Sequence, residues 1–319
     1  FYYIFYTIMS NTLSFKTGRP IAVISGGEHD DKTIHMDSCF DKKKKSNELD
    51  TDSTAVVIEE LYRCMGSRLS YKKMDALRMA LHNKTKPVDR ELGGIYDHFL
   101  KLMNDNQNKE LILEDGNVVP IFDPTRERSV FYVAGMSGSG KSHFTRDLCK
   151  QYHRQFPKNK IILFSNKSAD PLFDRLSYID RITIDETIVE DPITLLELKD
   201  SLVLFDDIEG QINRDIEKEL ERISAIILQQ GRSSRVSYVH ISHQLNNGNK
   251  TKLIITEAHS ITIFPSTVTT YSLSYLLGKY YGFDKNTIKK IKTLPSRWCT
   301  IYKAPPTILY SSGSFIADD

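Results

Sequence analysis

The sequence predicts an α/β fold, a mostly parallel sheet flanked by helices, on three observations. From Ser129 onward, short β-rich runs alternate with helix-spaced runs, the pattern of parallel strands joined by covering helices. Between one apolar run and the helical run after it lies a glycine-rich loop, Gly135 to Ser142. Another apolar run, Leu202 to Phe205, ends in the carboxylates Asp206 and Asp207. A parallel sheet carries such residues to the edge where the glycine loop also lies. At 319 residues, 40% hydrophobic and 26% charged, the chain can hold one such domain and a smaller one.

The net charge of +2 neither demands nor excludes nucleic acid, because DNA contact needs a basic lining and not a basic whole. The four cysteines, Cys39, Cys64, Cys149 and Cys299, are scattered without a Cys-x-x-Cys pair. They read as reduced core thiols in a cytosol-like compartment.

Along the chain, Phe1 to Met9 is aromatic, apolar and uncharged. It is too short to span a bilayer and lacks the basic flank and cleavage site of a signal peptide. Met9 opens Met-Ser-Asn-Thr, and we read residues 1–8 as upstream sequence, a membrane anchor being the other reading. Residues 9–110 form an accessory region and 111–319 the main domain. In the first, Ile21–Ser25 and Thr33–Met36 read as strands around a Gly-Gly turn. The run Lys42 to Lys45 reads as a solvated loop, with nuclear import or DNA contact as the functional alternative. Thr54–Arg63, Tyr71–His82 and Arg90–Met103 read as helices, so this region is expected to be small and mainly helical. Leu111–Leu113 and Val118–Ile121 flank Asp115-Gly116 as a hairpin.

In the main domain, Ser129–Ala134, Ile161–Phe164, Ile182–Ile184, Leu202–Phe205, Val236–Ile241 and Ile261–Phe264 are the expected strands. The strongest helix runs from Asp215 to Gln230. Ile216, Leu220, Ile223 and Ile227 form its apolar stripe, and Gly231 stops it.

The loop Gly135-Met136-Ser137-Gly138-Ser139-Gly140-Lys141-Ser142 is a complete phosphate-binding pattern. Its glycines let successive N–H groups turn inward onto phosphate oxygens, and the following helix adds the positive end of its dipole. Lys141 reaches the outer phosphates and Ser142 offers a hydroxyl to Mg²⁺. The loop therefore implies a P-loop NTPase that binds ATP with Mg²⁺. Asp206 suits the metal, held through its water shell. Asp207 suits a base that orients attacking water, with Glu209 in reserve because aspartate is the shorter acid. The run Val236–Ile241 is followed by Ser242-His243-Gln244. A polar side chain there can report the outer phosphate, and Gln244 fits that role better than His243.

Taken together, the phosphate loop, the Asp-Asp strand end, Gly231-Arg232 and the strand ending in Ser-His-Gln stand in the order of the FtsK–HerA superfamily of DNA-pumping ATPases. The chain most resembles the poxvirus-type genome-packaging ATPases of large eukaryotic DNA viruses. Leu294 to Lys303 followed by Pro306–Tyr310 is similar to their closing C-terminal hairpin. The resemblance covers about Asn117 to Phe315, and the aspartate at 207 departs from the commoner glutamate. It implies an ATP-hydrolysing motor that translocates double-stranded DNA into a viral capsid. A homo-oligomeric ring, capsid or portal partners and no stable membrane insertion are also implied, as is a place in the virion, a cytoplasmic viral factory or the nucleus. It further implies an arginine that completes a neighbouring subunit's site, Arg232 first and Arg235 second. Lys279 to Lys303 holds seven basic residues with interleaved aromatics, either a phosphate-tracking surface or a solvated helix with core aromatics. Two other functions stay open: a P-loop kinase of a small molecule, and a nucleotide-gated assembly protein without motor activity.

Overall fold

The computed structural model describes residues 12–37, 70–82, 85–97, 109–208 and 213–317. The apolar segment 1–9, the lysine run 42–45, the expected helix 54–63 and Glu209 lie outside them. The chain divides into two compact units, Phe1–Ser14 with Asp37–Lys109, and Phe15–Met36 with Glu110–Asp319. In the first, strand β1 (Thr12–Ser14) and helix α1 (Tyr71–His82) are followed by helical residues 90–97. Lys73 pairs with Glu91 at 2.6 Å, and Lys86 with Asp97 at 2.5 Å.

The second unit takes more of the chain than a cut at residue 110 provides. Strand β2 (Arg19–Ser25) pairs antiparallel with β3 (Thr33–Asp37) on one side and with β5 (Asn117–Pro120) on the other. The backbone ladder thus ties the first hairpin to the larger unit. The expected hairpin around Asp115-Gly116 does not form. Its first arm, β4 (Glu110–Ile112), pairs with β14 (Gly313–Ile316) instead, so the two arms diverge into different sheets. Gly116, at a φ of 80°, makes the turn.

The main sheet gathers around β6 (Val130–Ala134), whose five residues are all buried. Its order is β4-β14-β13-β12-β11-β6-β10-β9-β7-β8. The strands β11 (Ser260–Ile263), β6, β10 (Ser237–Ser242), β9 (Ser201–Asp206), β7 (Lys160–Ser165) and β8 (Ile179–Thr183) run parallel. The hairpin β12 (Cys299–Lys303) and β13 (Pro306–Tyr310) continues the sheet antiparallel beside β11. Buried on both faces, the inner strands β6, β7, β9 and β10 read as continuous apolar runs, which is how the sequence marks them.

The two faces are covered unequally. Phe131, Val133, Leu163 and Leu204 pack beneath α2 (Lys141–Gln155) through Phe144, Leu148 and Tyr152. The alternate residues Tyr132, Phe164, Val203 and Phe205 face the other way, into a larger core. That core takes the short α3 (Thr187–Glu190), α4 (Arg214–Gln230), α5 (Asn249–Glu257), α6 (Thr270–Tyr280) and α7 (Lys285–Lys292). The expected stripe of α4 is buried, and its first turn is capped by Asn213, whose side chain accepts from the Asp215 N–H. Among the described residues no helix is long and apolar enough to cross a membrane.

Candidate functional site

The glycine loop joins β6 to α2 at the carboxyl edge of the parallel strands. Gly138 and Gly140 take φ of 73° and 112°, values a side chain resists. At Gly135 a Cβ would stand 2.8 Å from the Phe264 ring and 2.9 Å from Ser139 Oγ. The loop therefore keeps a close turn with the N–H groups of the first α2 turn directed at the space before it. Lys141 is buried, and its ammonium donates to the carbonyls of Gly135 at 2.7 Å and Met136 at 3.1 Å. Ser139 Oγ is buried with no hydrogen-bond partner.

Strand β10 lies between the loop strand β6 and the acidic strand β9. Asp206 ends β9 and is buried, and its Oδ2 lacks a hydrogen-bond partner. Asp207 takes the left-handed φ of 59°, which turns the chain away from the sheet. Asn166 holds that turn by donating to the Asp207 carbonyl at 2.7 Å. Lys167, just beyond β7, brings its ammonium to 3.6 Å from a carboxylate oxygen of each aspartate. Burial, opposed by Lys167, raises the Asp206 pKa above the ordinary carboxylate value. Burial works against the Lys167 charge, but Asp206, Asp207 and Asp170 outweigh it and raise that pKa too.

The side chain that links loop and acid is His243. Lys141 Nζ lies 3.2 Å from its Nδ1, and its Nε2 meets Asp207 Oδ1. An ammonium only donates, so Nδ1 accepts and the proton sits on Nε2, facing the carboxylate. Gln244, favoured from the sequence, is engaged through its main chain instead. Its carbonyl accepts from the Tyr132 hydroxyl at 2.5 Å and its N–H donates to Ser242 Oγ at 3.1 Å. Lys141, His243, Asp207 and Lys167 thus form one chain of contacts that also takes in Asp206.

The arginines lie elsewhere. Arg232 follows α4, at the end of the sheet where β10 begins, and its guanidinium pairs with Glu127. Because β10 runs parallel to β6 over its six residues, about 20 Å of strand separates that edge from the glycine loop. Arg235, on the same edge, makes a two-pronged pair with Asp200 at 2.5 and 2.8 Å. A different arginine reaches the loop. Arg297 donates through Nε to the Ser139 carbonyl at 2.9 Å and through Nη2 to the Gly138 carbonyl at 3.1 Å. In the sequence Arg297 is one member of a basic run, and Lys167 carries no signal beyond standing at a strand end.

The residues fit a magnesium nucleotide. Asp206 Oδ2 is buried and met by Lys167 at the long distance of 3.6 Å, the buried Ser139 hydroxyl has no hydrogen-bond partner, and Ser142 stands beside Lys141 at the start of α2. Among the described residues no three His, Cys, Asp or Glu gather into a metal cage. Mg²⁺ bound with a nucleotide commonly takes only one or two protein ligands beside phosphate oxygens and water.

No family model matches the sequence. The chain is 33% identical over 240 residues to the uncharacterised protein V3 of Sputnik virophage, covering 73% of this chain and 96% of that one. Among solved structures it is similar to B204, the DNA-packaging ATPase from Sulfolobus turreted icosahedral virus. The identity is 14%, the TM-score 0.41, and 61% of this chain and 99% of that one are covered. It is also similar to the pCW3 conjugation coupling protein TcpA, at 12% identity and a TM-score of 0.44, covering 95% of this chain and 78% of that one. The chain has the P-loop NTPase fold, and it belongs to one family with the Sputnik virophage protein V3.

Proposed function

We propose that this chain is an ATP-hydrolysing motor that translocates double-stranded DNA, packaging a viral genome into its capsid. The observation that carries the reading is the contact chain from Lys141 through His243 to Asp207, with Asp206 buried beside it. It joins a phosphate-binding lysine, a polar strand end and an acid pair, the parts needed to hold a triphosphate and orient a water against it. Lys141 and the loop N–H groups would hold the phosphates, and Ser142 and Asp206 would hold the magnesium. The ion, when bound, neutralises charge on the outer phosphates. Asp207 accepts the proton of the attacking water, and His243 ties that carboxylate to the occupancy of the loop. Glu209 stays the reserve base.

The position of Arg232, about 20 Å of strand from its own loop, supports a ring in which it serves the neighbouring subunit. The sequence resemblance supports a packaging role, with capsid or portal proteins as partners, and the virophage relative supports a viral setting. ATP turnover measured with and without long duplex DNA, alongside the mass of the assembly, tests the reading. DNA-stimulated turnover by a ring is the expected result. Phosphorylation of an added nucleoside by a monomer establishes the kinase instead, and assembly without DNA response establishes the nucleotide-gated scaffold.

A further inference from the structure

The glycine loop is gripped from two sides. Lys141 takes the carbonyls of Gly135 and Met136, and Arg297 takes the next pair along, Gly138 and Ser139. The surrounding residues are built to keep it there. Trp298 packs its ring 5.0 Å from that of Phe144 in the first turn of α2. Ser296 Oγ donates to the Trp298 carbonyl at 2.6 Å and accepts the Ser311 N–H at 3.0 Å. A Cβ on Gly140 would meet Arg297 Nε at 3.4 Å and the Phe264 ring at 3.6 Å, ordinary contact distances, so the glycine is set by its φ of 112° and the guanidinium packs directly over it.

We infer that Arg297 is a positioning residue for the nucleotide, resting on the reading that the loop binds ATP. Its two N–H donors neutralise the carbonyl ends of successive peptides and fix their planes. The Ser139 N–H, opposite the Gly138 carbonyl, closes the loop's own turn onto the Met136 carbonyl at 3.2 Å, and the Gly140 N–H, opposite the Ser139 carbonyl, is thereby aimed at the phosphates before nucleotide arrives. The guanidinium acts through the backbone and touches no reacting atom. Because it belongs to the segment between α7 and β12, the C-terminal part of the chain sets the shape of the loop.

The test compares full-length Arg297→Ala, Arg297→Gln and Arg297→Lys with the parent. Without nucleotide, amide hydrogen exchange at residues 138–142 should rise at least about tenfold in Arg297→Ala, while β9 and β10 stay protected. Affinity for ATPγS and KM for ATP should worsen about tenfold or more, with a smaller change in kcat. The order should be Arg, then Lys, then Gln, because an ammonium can still donate to a carbonyl pair as Lys141 does. Unchanged exchange and unchanged KM overturn the inference. So does a general loss of protection through β9 and β10, which marks Arg297 as an ordinary packing residue. If Arg297→Ala does not fold, a Lys variant no better than the Gln variant overturns it as well. Failure of the parent to bind ATPγS removes the nucleotide reading and leaves the exchange result to judge the grip itself.

Discussion

Arg232→Ala should leave ATP binding near the parent level and lower turnover about 10³-fold or more, the usual loss when an arginine finger is removed. On the proposed ring that loss falls on the neighbouring subunit, a reading supported by the β10 ladder, which holds Arg232 and the glycine loop on opposite edges of one sheet. The pair with Glu127 does not obstruct transfer. Both partners are largely exposed, 76% and 56% for the side chains, and surface pairs of this kind hold weakly. Glu127→Gln should therefore change turnover by no more than a few fold. The decisive assay mixes Arg232→Ala with Lys141→Ala and follows phosphate release. One protein brings an intact loop and the other an intact finger. In random rings at equal amounts about one quarter of the interfaces pair the two, so two inactive proteins should together recover up to about a quarter of parent turnover. Recovery should grow with concentration and with duplex DNA. Mixed rings that stay inactive at every ratio, while parent subunits diluted into dead rings keep working, refute the reasoning.

Three further outcomes are expected. Asp206→Asn should weaken magnesium-dependent ATP binding, whereas Asp207→Asn should bind ATP and lose about 10²- to 10⁴-fold in turnover; normal turnover in Asp207→Asn with loss in Glu209→Gln moves the base to Glu209. Gly231→Ala should destabilise the fold by about 1–3 kcal/mol in denaturant melts, because a Cβ would collide with the Ile227 carbonyl and stand 2.8 Å from Arg128, which caps the end of α4; an unchanged midpoint removes that packing argument. Burial, then the charges of Arg126, Arg128, Arg19 and Lys303, pull His259 from 6.5 down to about 3. Folding there expels a proton, so stability is present above the unfolded pKa and is lost as pH falls from about 6.5 toward about 3. His259→Asn, which keeps an acceptor for the Val130 N–H, should flatten that limb of a stability–pH curve, and an unchanged slope excludes His259 as its source.

The parts of the site legible in the sequence are those written by neighbours in the chain. Gly135–Ser142 is a contiguous pattern, the acids follow an unbroken apolar run, and α4 carries its stripe and stop signal within one helix. The parts that were not legible arise from distant contacts or from the end of a ladder. Arg297 meets Ser139 across 158 positions of sequence, and no local period marks such a pair. The choice between His243 and Gln244 escaped for another reason. The β10–β6 register stops at Ser242 opposite Ala134, and past that point alternation no longer decides which side chain faces the loop. Asp115-Gly116 did signal a turn, but each flank had a better partner than the other. Hairpin chemistry fixes a reversal of the chain, not who pairs with whom.

The interposed strand β10 also acts as a gauge block. Adjacent strands stand about 4.8 Å apart, so one strand between the loop and the acids sets them about 9.6 Å apart at the edge. Without it, Lys141 would fall onto Asp206 or Asp207 as a direct ion pair, closing the room that an outer phosphate and its water require. With it, the lysine's ammonium comes to 3.2 Å from His243 Nδ1. The clearance of the site is therefore a property of backbone hydrogen bonding. Replacing any single side chain in it changes the chemistry but leaves the gap open.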